Sequence, residues 1–270
     1  MYCSIEIDNR LYHYDTDNFY DLSIPLDFEG PQANYFDVEK ASATPFKNDA
    51  VIGDTEQGGG CNFDVVSFIP HCNGTHTECV GHIVHENIFV NQLIKDSSFP
   101  ATLITVRPEN NVIHADQVNI ENVFNTALIV RTLPNAVEKL SATYDTENLP
   151  PYFSNEAMHK ITAMGIQHLL VDMPSIDLTF DKGKLVNHHI FWKVEQGSHD
   201  LNGSPASSKT ITEMIYVPNN ISDGTYLLQI QITNFMSDAA PCRPIIFPLE
   251  LSLVTKHLYL LLNRCIKMIH

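Results

Sequence analysis

Short apolar runs separated by turn residues constrain this chain more than any other feature. ATLITV at 101–106, ALIVR at 127–131, HLLVDM at 168–173, EMIYV at 213–217, YLLQIQI at 226–232 and PIIFPL at 244–249 are rich in Val, Ile, Leu and Thr, and Pro, Asn, Asp or Gly flank most of them. Runs this short read as buried strands, and none approaches the roughly 20 apolar residues of a membrane-spanning helix. One helix is signalled between them. Ser154 caps it, Glu156 lies in its first turn, Ala157, Ile161 and Met164 face inward, and Gly165 ends it. Helix followed by apolar strand over 154–173 predicts an α/β layer whose sheet is packed on both faces. The loops at 40–60 and 196–210 are long and rich in Gly, Ser and Asp, which marks functional or mobile segments.

Charge narrows the partners. With 16 basic and 32 acidic residues the formal charge is 16 − 32 = −16, a poor match for nucleic acid or an acidic membrane surface, both of which need a Lys/Arg face. The expected partner is a small molecule. The opening MYCSIEIDNRLYHYDTD has no basic stretch leading into an apolar run, so the expectation is a cytoplasmic protein without a secretory leader. Six scattered cysteines without a CxxC pair then read as free thiols.

Histidine is the unusual residue: 13 of them, nearly as many as Lys and Arg together. The densest group is HCNGTHTECVGH at 71–82, which places His71, His76, Glu78 and His82 within twelve residues. Imidazole and carboxylate are the usual ligands of Zn²⁺ and Mn²⁺. In an extended chain His76 and Glu78, two apart, share a face, and a bend at Gly74 can bring His71 round to them. The alternative is a solvated loop that merely gathers polar residues. Cys72 and Cys79 lack knuckle spacing and read as small buried fillers. Downstream, His188 and His189 in LVNHHIF are either core, surface or ligand histidines. Glu213, read as the opening residue of the EMIYV strand, would bury a carboxylate that a cation could offset.

Together, DLSIPL at 21–26, HCNGTHTECVGH, VDMPSID at 171–177, the pair His188-His189 and TEMIYV at 212–217 resemble the cyclase family, which includes bacterial kynurenine formamidase (arylformamidase) and isatin hydrolase. The match runs in order from about residue 20 to about residue 250. It implies a single mixed α/β domain of the swivelling β/β/α type, a curled central sheet with outer helices, over 1–250; beyond the match, the pattern LSLVTKHLYLLLNRCIKMIH at 251–270 reads as a C-terminal helical extension with an apolar face and a basic last turn. The match also implies one or two Zn²⁺ or Mn²⁺ ions held by His71, His76, Glu78, His188 and Glu213, with Glu78 and Glu213 bridging. His82 falls at the family's general acid/base position, and His82 and Glu213 are the residues assigned to catalysis. Family members commonly form homodimers.

The motif departs from the family's H-x-G-T-H-x-D-x-P-x-H in three places: one extra residue after His71, Glu78 for aspartate, and Val80 for proline. The tryptophan that formamidases carry soon after DLS is absent; Tyr35 and Phe36 stand in that region, as an aromatic wall or as loop anchors, and the one tryptophan is Trp192. The implied reaction is hydrolysis of an amide, formamide, lactam or lactone bond by metal-activated water, with His82 passing the proton. The rival is a non-catalytic metal-binding pseudoenzyme of the same fold. Asp172 and Asp177 either hold ligand histidines by their second nitrogen or cap the turn after a strand.

Overall fold

A computed structural model describes residues 1–119 and 124–252. Seven strands carry the architecture: β1 (His76–Cys79), β2 (Phe99–Val106), β3 (Ala127–Thr132), β4 (His168–Val171), β5 (Thr210–Glu213), β6 (Gly224–Ile232) and β7 (Ala239–Pro248). Their spatial order is β6-β2-β3-β4-β5-β1-β7, and β7 pairs back onto β6, so the expected curled sheet closes into a barrel. From β2 to β5 neighbouring strands are parallel. The four remaining pairings, β5–β1, β1–β7, β7–β6 and β6–β2, are antiparallel.

Successive strand residues point to opposite faces, and both faces here are buried. Ala127, Ile129 and Leu170 pack inside with Ala101, Leu103, Leu228 and Ile246. Leu128, Val130, Leu169, Val171 and Ile211 point outward against Ala157, Met158 and Ile161 of α1 (Asn155–Ala163) and Phe191 and Trp192 of α2 (Val186–Trp192). A strand covered on both sides has no polar face, which is why these runs read as continuously apolar. The α1 signals hold: Ser154 Oγ accepts the Ala157 N–H at 3.2 Å and Gly165 follows at φ +82°.

Elsewhere on the barrel, the hairpin Tyr2–Ile7/Arg10–Asp15 covers Leu227, Ile245 and Phe247 with Ile5 and Tyr14. Its turn places Asp8 and Asn9 at φ 50° and 62°, the geometry a two-residue hairpin demands. The loop expected at 40–60 contains a strand, Ser42–Pro45, paired with Asp64–Ser67.

One expected strand is displaced. The ladder covers Thr210–Glu213, so Glu213 closes the strand instead of opening it. Met214 at φ +55° turns the backbone out of the extended region, and only an isolated Ser23–Ile215 bridge follows. Residues 214–217 are apolar because Met214, Ile215 and Val217 are core, not because they form a ladder. Of the helix expected at 251–270 only Leu251 and Ser252 are among the described residues: Leu251 ends the strand Glu250–Leu251, which pairs with Arg10–Asp15, and the Ser252 N–H donates to the Leu11 carbonyl. Cys3, Cys61, Cys72, Cys79 and Cys242 are unbridged, and Cys72 and Cys79 are buried. Among the described residues no helix is long and apolar enough to cross a membrane.

Candidate active site

The antiparallel register of β1 and β5 sets Glu213 directly opposite His76 and Ile211 opposite Glu78. Residues two apart share a face, so His76, Glu78 and Glu213 lie together on the outer wall of the barrel with Ile211. Their in-phase alternates, Thr77 and Thr212, bond to each other at 2.8 Å on the other face. α2 then brings His188 down from above. Gly74, at φ +87°, makes the bend that returns His71 to the same place. The extra residue before Gly74 is absorbed in a turn, in which Ile69 O accepts the N–H groups of Cys72 and Asn73 and Asn73 Oδ1 accepts the Ile69 N–H at 2.7 Å.

All six residues singled out by sequence meet here. Glu78 is the centre: Oε1 is 2.9 Å from His188 Nε2, while Oε2 is 3.0 Å from His71 Nδ1 and 3.9 Å from His82 Nε2. Glu213 Oε2 stands 3.5 Å from His76 Nε2, and its Oε1 is 3.9 Å from His188 Nε2 and accepts the Ile176 N–H at 3.1 Å. His189 is absent from the cavity lining, and Asp172 is spent elsewhere: it accepts from Thr132 and Lys139, so of the two aspartates only Asp177 reaches the cluster.

Each of the three inner histidines is held by the nitrogen that faces away from the carboxylates. Asp177 Oδ2 takes His188 Nδ1 at 2.6 Å, Gly74 O takes His76 Nδ1 at 3.1 Å and Asp238 Oδ2 takes His71 Nε2 at 2.8 Å. Asp177 also accepts the backbone N–H groups of Asn187 and His188, tying the first turn of α2 to the loop after β4. The opposite nitrogens converge on Glu78 and Glu213. His76 Nε2 is fully buried and has no hydrogen-bond partner.

The two carboxylates are driven apart electrostatically. Burial would raise Glu78, but the His82 and His188 imidazoles, with hydrogen bonds from His188 and His71, hold it well below the usual carboxylate range. Burial raises Glu213, and the neighbouring Glu78 charge raises it further. Burial would lower His188, yet Glu78 and Asp177 outweigh it and hold its pKa well above the ordinary value. His71 rises to about 10 because its bonds to Asp238 and Glu78 overcome the same burial.

This chemistry fits a cation. Three histidines with fixed outer nitrogens, one orphaned inner nitrogen and two buried carboxylates form a nitrogen–oxygen donor set of the kind that takes Zn²⁺ or Mn²⁺. His71, His76 and Glu78 offer ligand atoms within 4.8 Å of one another, as do Glu78, His82 and His188. The cluster floors a cavity of about 510 Å³ whose walls include Tyr35, Phe36, Leu178 and Phe180. Phe36 and Phe180 meet edge to face at 6.3 Å. Trp192 takes no part in that wall: it lies in the core beneath His188, its ring 5.3 Å away.

Sequence reasoning missed Asp238, which touches both His71 and His82 (Nδ1, 3.5 Å). It stands 167 residues from His71 in the chain and carries no motif of its own.

Known proteins share this architecture. A family model described as "Putative cyclase" matches residues 20–178, more than half of the chain. The kynurenine formamidase of Bacillus cytotoxicus is 27% identical over 213 residues, spanning 76% of this chain and 89% of that protein. A solved structure described as a predicted metal-dependent hydrolase from Bacillus stearothermophilus superposes with a TM-score of 0.56 at 17% identity, covering 85% of this chain and 97% of that one. Isatin hydrolase A of Labrenzia aggregata, bound to benzyl benzoate, gives 0.58 at 12% identity over 86% of this chain and 94% of its own. At such identities the two structures speak for the fold.

Proposed function

The chain belongs to the cyclase family, and on that premise we propose that it is a metal-dependent hydrolase acting on a non-peptide amide, formamide, lactam or lactone bond of a small molecule. The observation that carries this reading is the convergence of five ligand-competent side chains at the base of a single cavity: His71, Glu78, His188 and Glu213 line it, and His76 behind them has a buried Nε2 with no hydrogen bond, 3.5 Å from Glu213. His71, His76, Glu78, His188 and Glu213 would hold one or two Zn²⁺ or Mn²⁺ ions. Such an ion supplies an acidified water and a polarised carbonyl. The rest falls to the protein. Tyr35, Phe36, Leu178 and Phe180 present an apolar wall for the substrate and limit water around it. His82, at the cavity rim, turns Nε2 towards Glu78 and passes a proton from that atom to the leaving nitrogen or oxygen. The similarity to kynurenine formamidase supports the bond class.

We also propose that it acts in the cytoplasm as a homodimer. The exposed valines of the Asp64–Ser67 strand, Val65 and Val66, support a partner surface there; light scattering of the purified protein tests it.

The test of the activity is a screen of formamides, lactams and lactones with the Zn²⁺- or Mn²⁺-loaded protein beside a chelated control. We expect one class to turn over, to stop on chelation and to resume on metal return. Tight metal binding without turnover of any class would favour the pseudoenzyme reading instead.

A further inference from the structure

We infer that Asp238 is a positioning residue that holds His71 and His82 in register across the mouth of the site; its effect on turnover rests on the role given to His82 above. The residue directly precedes β7 and is fixed by its backbone. Its carbonyl accepts the Cys79 N–H at 3.0 Å, the carbonyl of Ser237 accepts the Val90 N–H at 2.9 Å, and Ala239 pairs in register with Glu78. Its side chain is fully engaged. Oδ1 accepts the Ser237 hydroxyl at 3.1 Å, which leaves Oδ2 for both imidazoles, His71 Nε2 at 2.8 Å and His82 Nδ1 at 3.5 Å.

One oxygen can serve two rings because the rings lie against each other, 4.1 Å between centroids and tilted by 31°. The approach also depends on Gly81. A Cβ there would come within 3.2 Å of the Asp238 Cβ and 2.3 Å of the Ile88 carbonyl, so any larger residue would push the 238 backbone and the turn at 88 away.

His71, His82 and Asp238 also offer ligand atoms within 4.8 Å of one another, but Asp238 takes the His71 nitrogen that faces away from Glu78, as a residue that holds a ligand ring does. His71 directs Nδ1 towards Glu78 and gives Nε2 to Asp238, the arrangement that His188 has between Glu78 and Asp177. Asp238 differs from Asp177 in holding a second histidine at the same time. It therefore couples the orientation of a ligand histidine to that of the proton-transfer histidine, which Asp177 does not do for any other ring.

Two measurements test this. In metal-free protein labelled with ¹⁵N-histidine, Asp238→Ala should move the ring signals of both His71 and His82 and leave those of His188 in place. In metal-loaded protein the same change should lower kcat by about 10- to 100-fold with KM little altered, and Asp238→Asn, whose carbonyl can accept in the Oδ2 position, should recover most of the loss. Unmoved ring signals, movement of only one ring, an unchanged kcat, or failure of Asp238→Asn to rescue would each overturn the inference. If the wild type turns over no substrate, the hydrolase reading fails, and the ring signals still decide whether Asp238 holds the two histidines.

Discussion

Strands β4 and β5 run side by side from one end of the barrel to the other, and their two ends treat buried polar groups in opposite ways. At the start, His168 sits beneath the Phe99 ring, its Nδ1 bonded to Thr210 Oγ1 at 2.8 Å, and burial lowers its pKa to about 4. It is a neutral core histidine with its ring nitrogen satisfied. At the other end, Glu213 and His188 are equally buried, yet His188 is held well above its ordinary pKa by Glu78 and Asp177, and His76 Nε2 has only the 3.5 Å approach of Glu213 Oε2 and no hydrogen bond. An unpartnered buried atom does not by itself separate the two ends, since Lys209 Nζ beside Thr210 also lacks a hydrogen-bond partner; the far end differs in gathering opposed carboxylates and imidazoles at one point, an arrangement that stability alone does not require. The difference is what marks the site.

The sharpest way to break the comparison is Glu78→Ala. It should lower kcat/KM by at least about 1,000-fold, roughly 4 kcal/mol, because the lost carboxylate is shared by three imidazoles. Steady-state kinetics on whichever substrate class responds would show it.

The opposite end predicts a pH effect. The unfolded His168 takes up a proton near pH 6.5, whereas the folded one resists until about pH 4. Above pH 6.5 neither state is charged and nothing is lost; as pH falls from 6.5 to 4 only the unfolded chain gains the proton, so stability drops by about 3 kcal/mol. Urea unfolding of the wild type and His168→Gln across that window isolates the contribution, and parallel curves for the two proteins would contradict it.

His82→Ala should reduce kcat by about 100-fold while metal stays bound. Equal loss of metal would place His82 among the ligands. Smallest of all, Ser154→Ala removes the α1 cap and should cost about 1 kcal/mol of stability without touching turnover, since α1 buttresses the barrel away from the cavity. A change in KM would mean that α1 is coupled to the site through α2.

Much of the barrel was legible in the chain because β2, β3, β4, β6 and β7 are buried on one or both faces and so carry apolar runs. The exceptions have physical causes. β1, HTEC, has no apolar run because its outward positions are ligand-competent residues, and β5 was read three residues late because Met214–Val217 is apolar for packing and not for pairing. α2 carries no helix signal, since it is seven residues long and its buried positions include the polar Asn187, His188 and His189 beside Phe191 and Trp192. At the site, the residues of the 71–82 block could be found by their density. Asp177 could be found only as one of two alternatives, because which aspartate reaches a histidine is decided by the loop after β4. Asp238 could not be found, because it meets His71 only through the β1–β7 ladder.

The central claim is that this cluster holds a divalent metal. Elemental analysis of protein purified without a histidine tag, after exposure to Zn²⁺ or Mn²⁺ and removal of excess, tests it directly. The account predicts one or two ions per chain in the wild type and none in the Glu78→Ala, Glu213→Ala double variant. Metal-free wild type, or an unchanged metal content in the double variant, would contradict it.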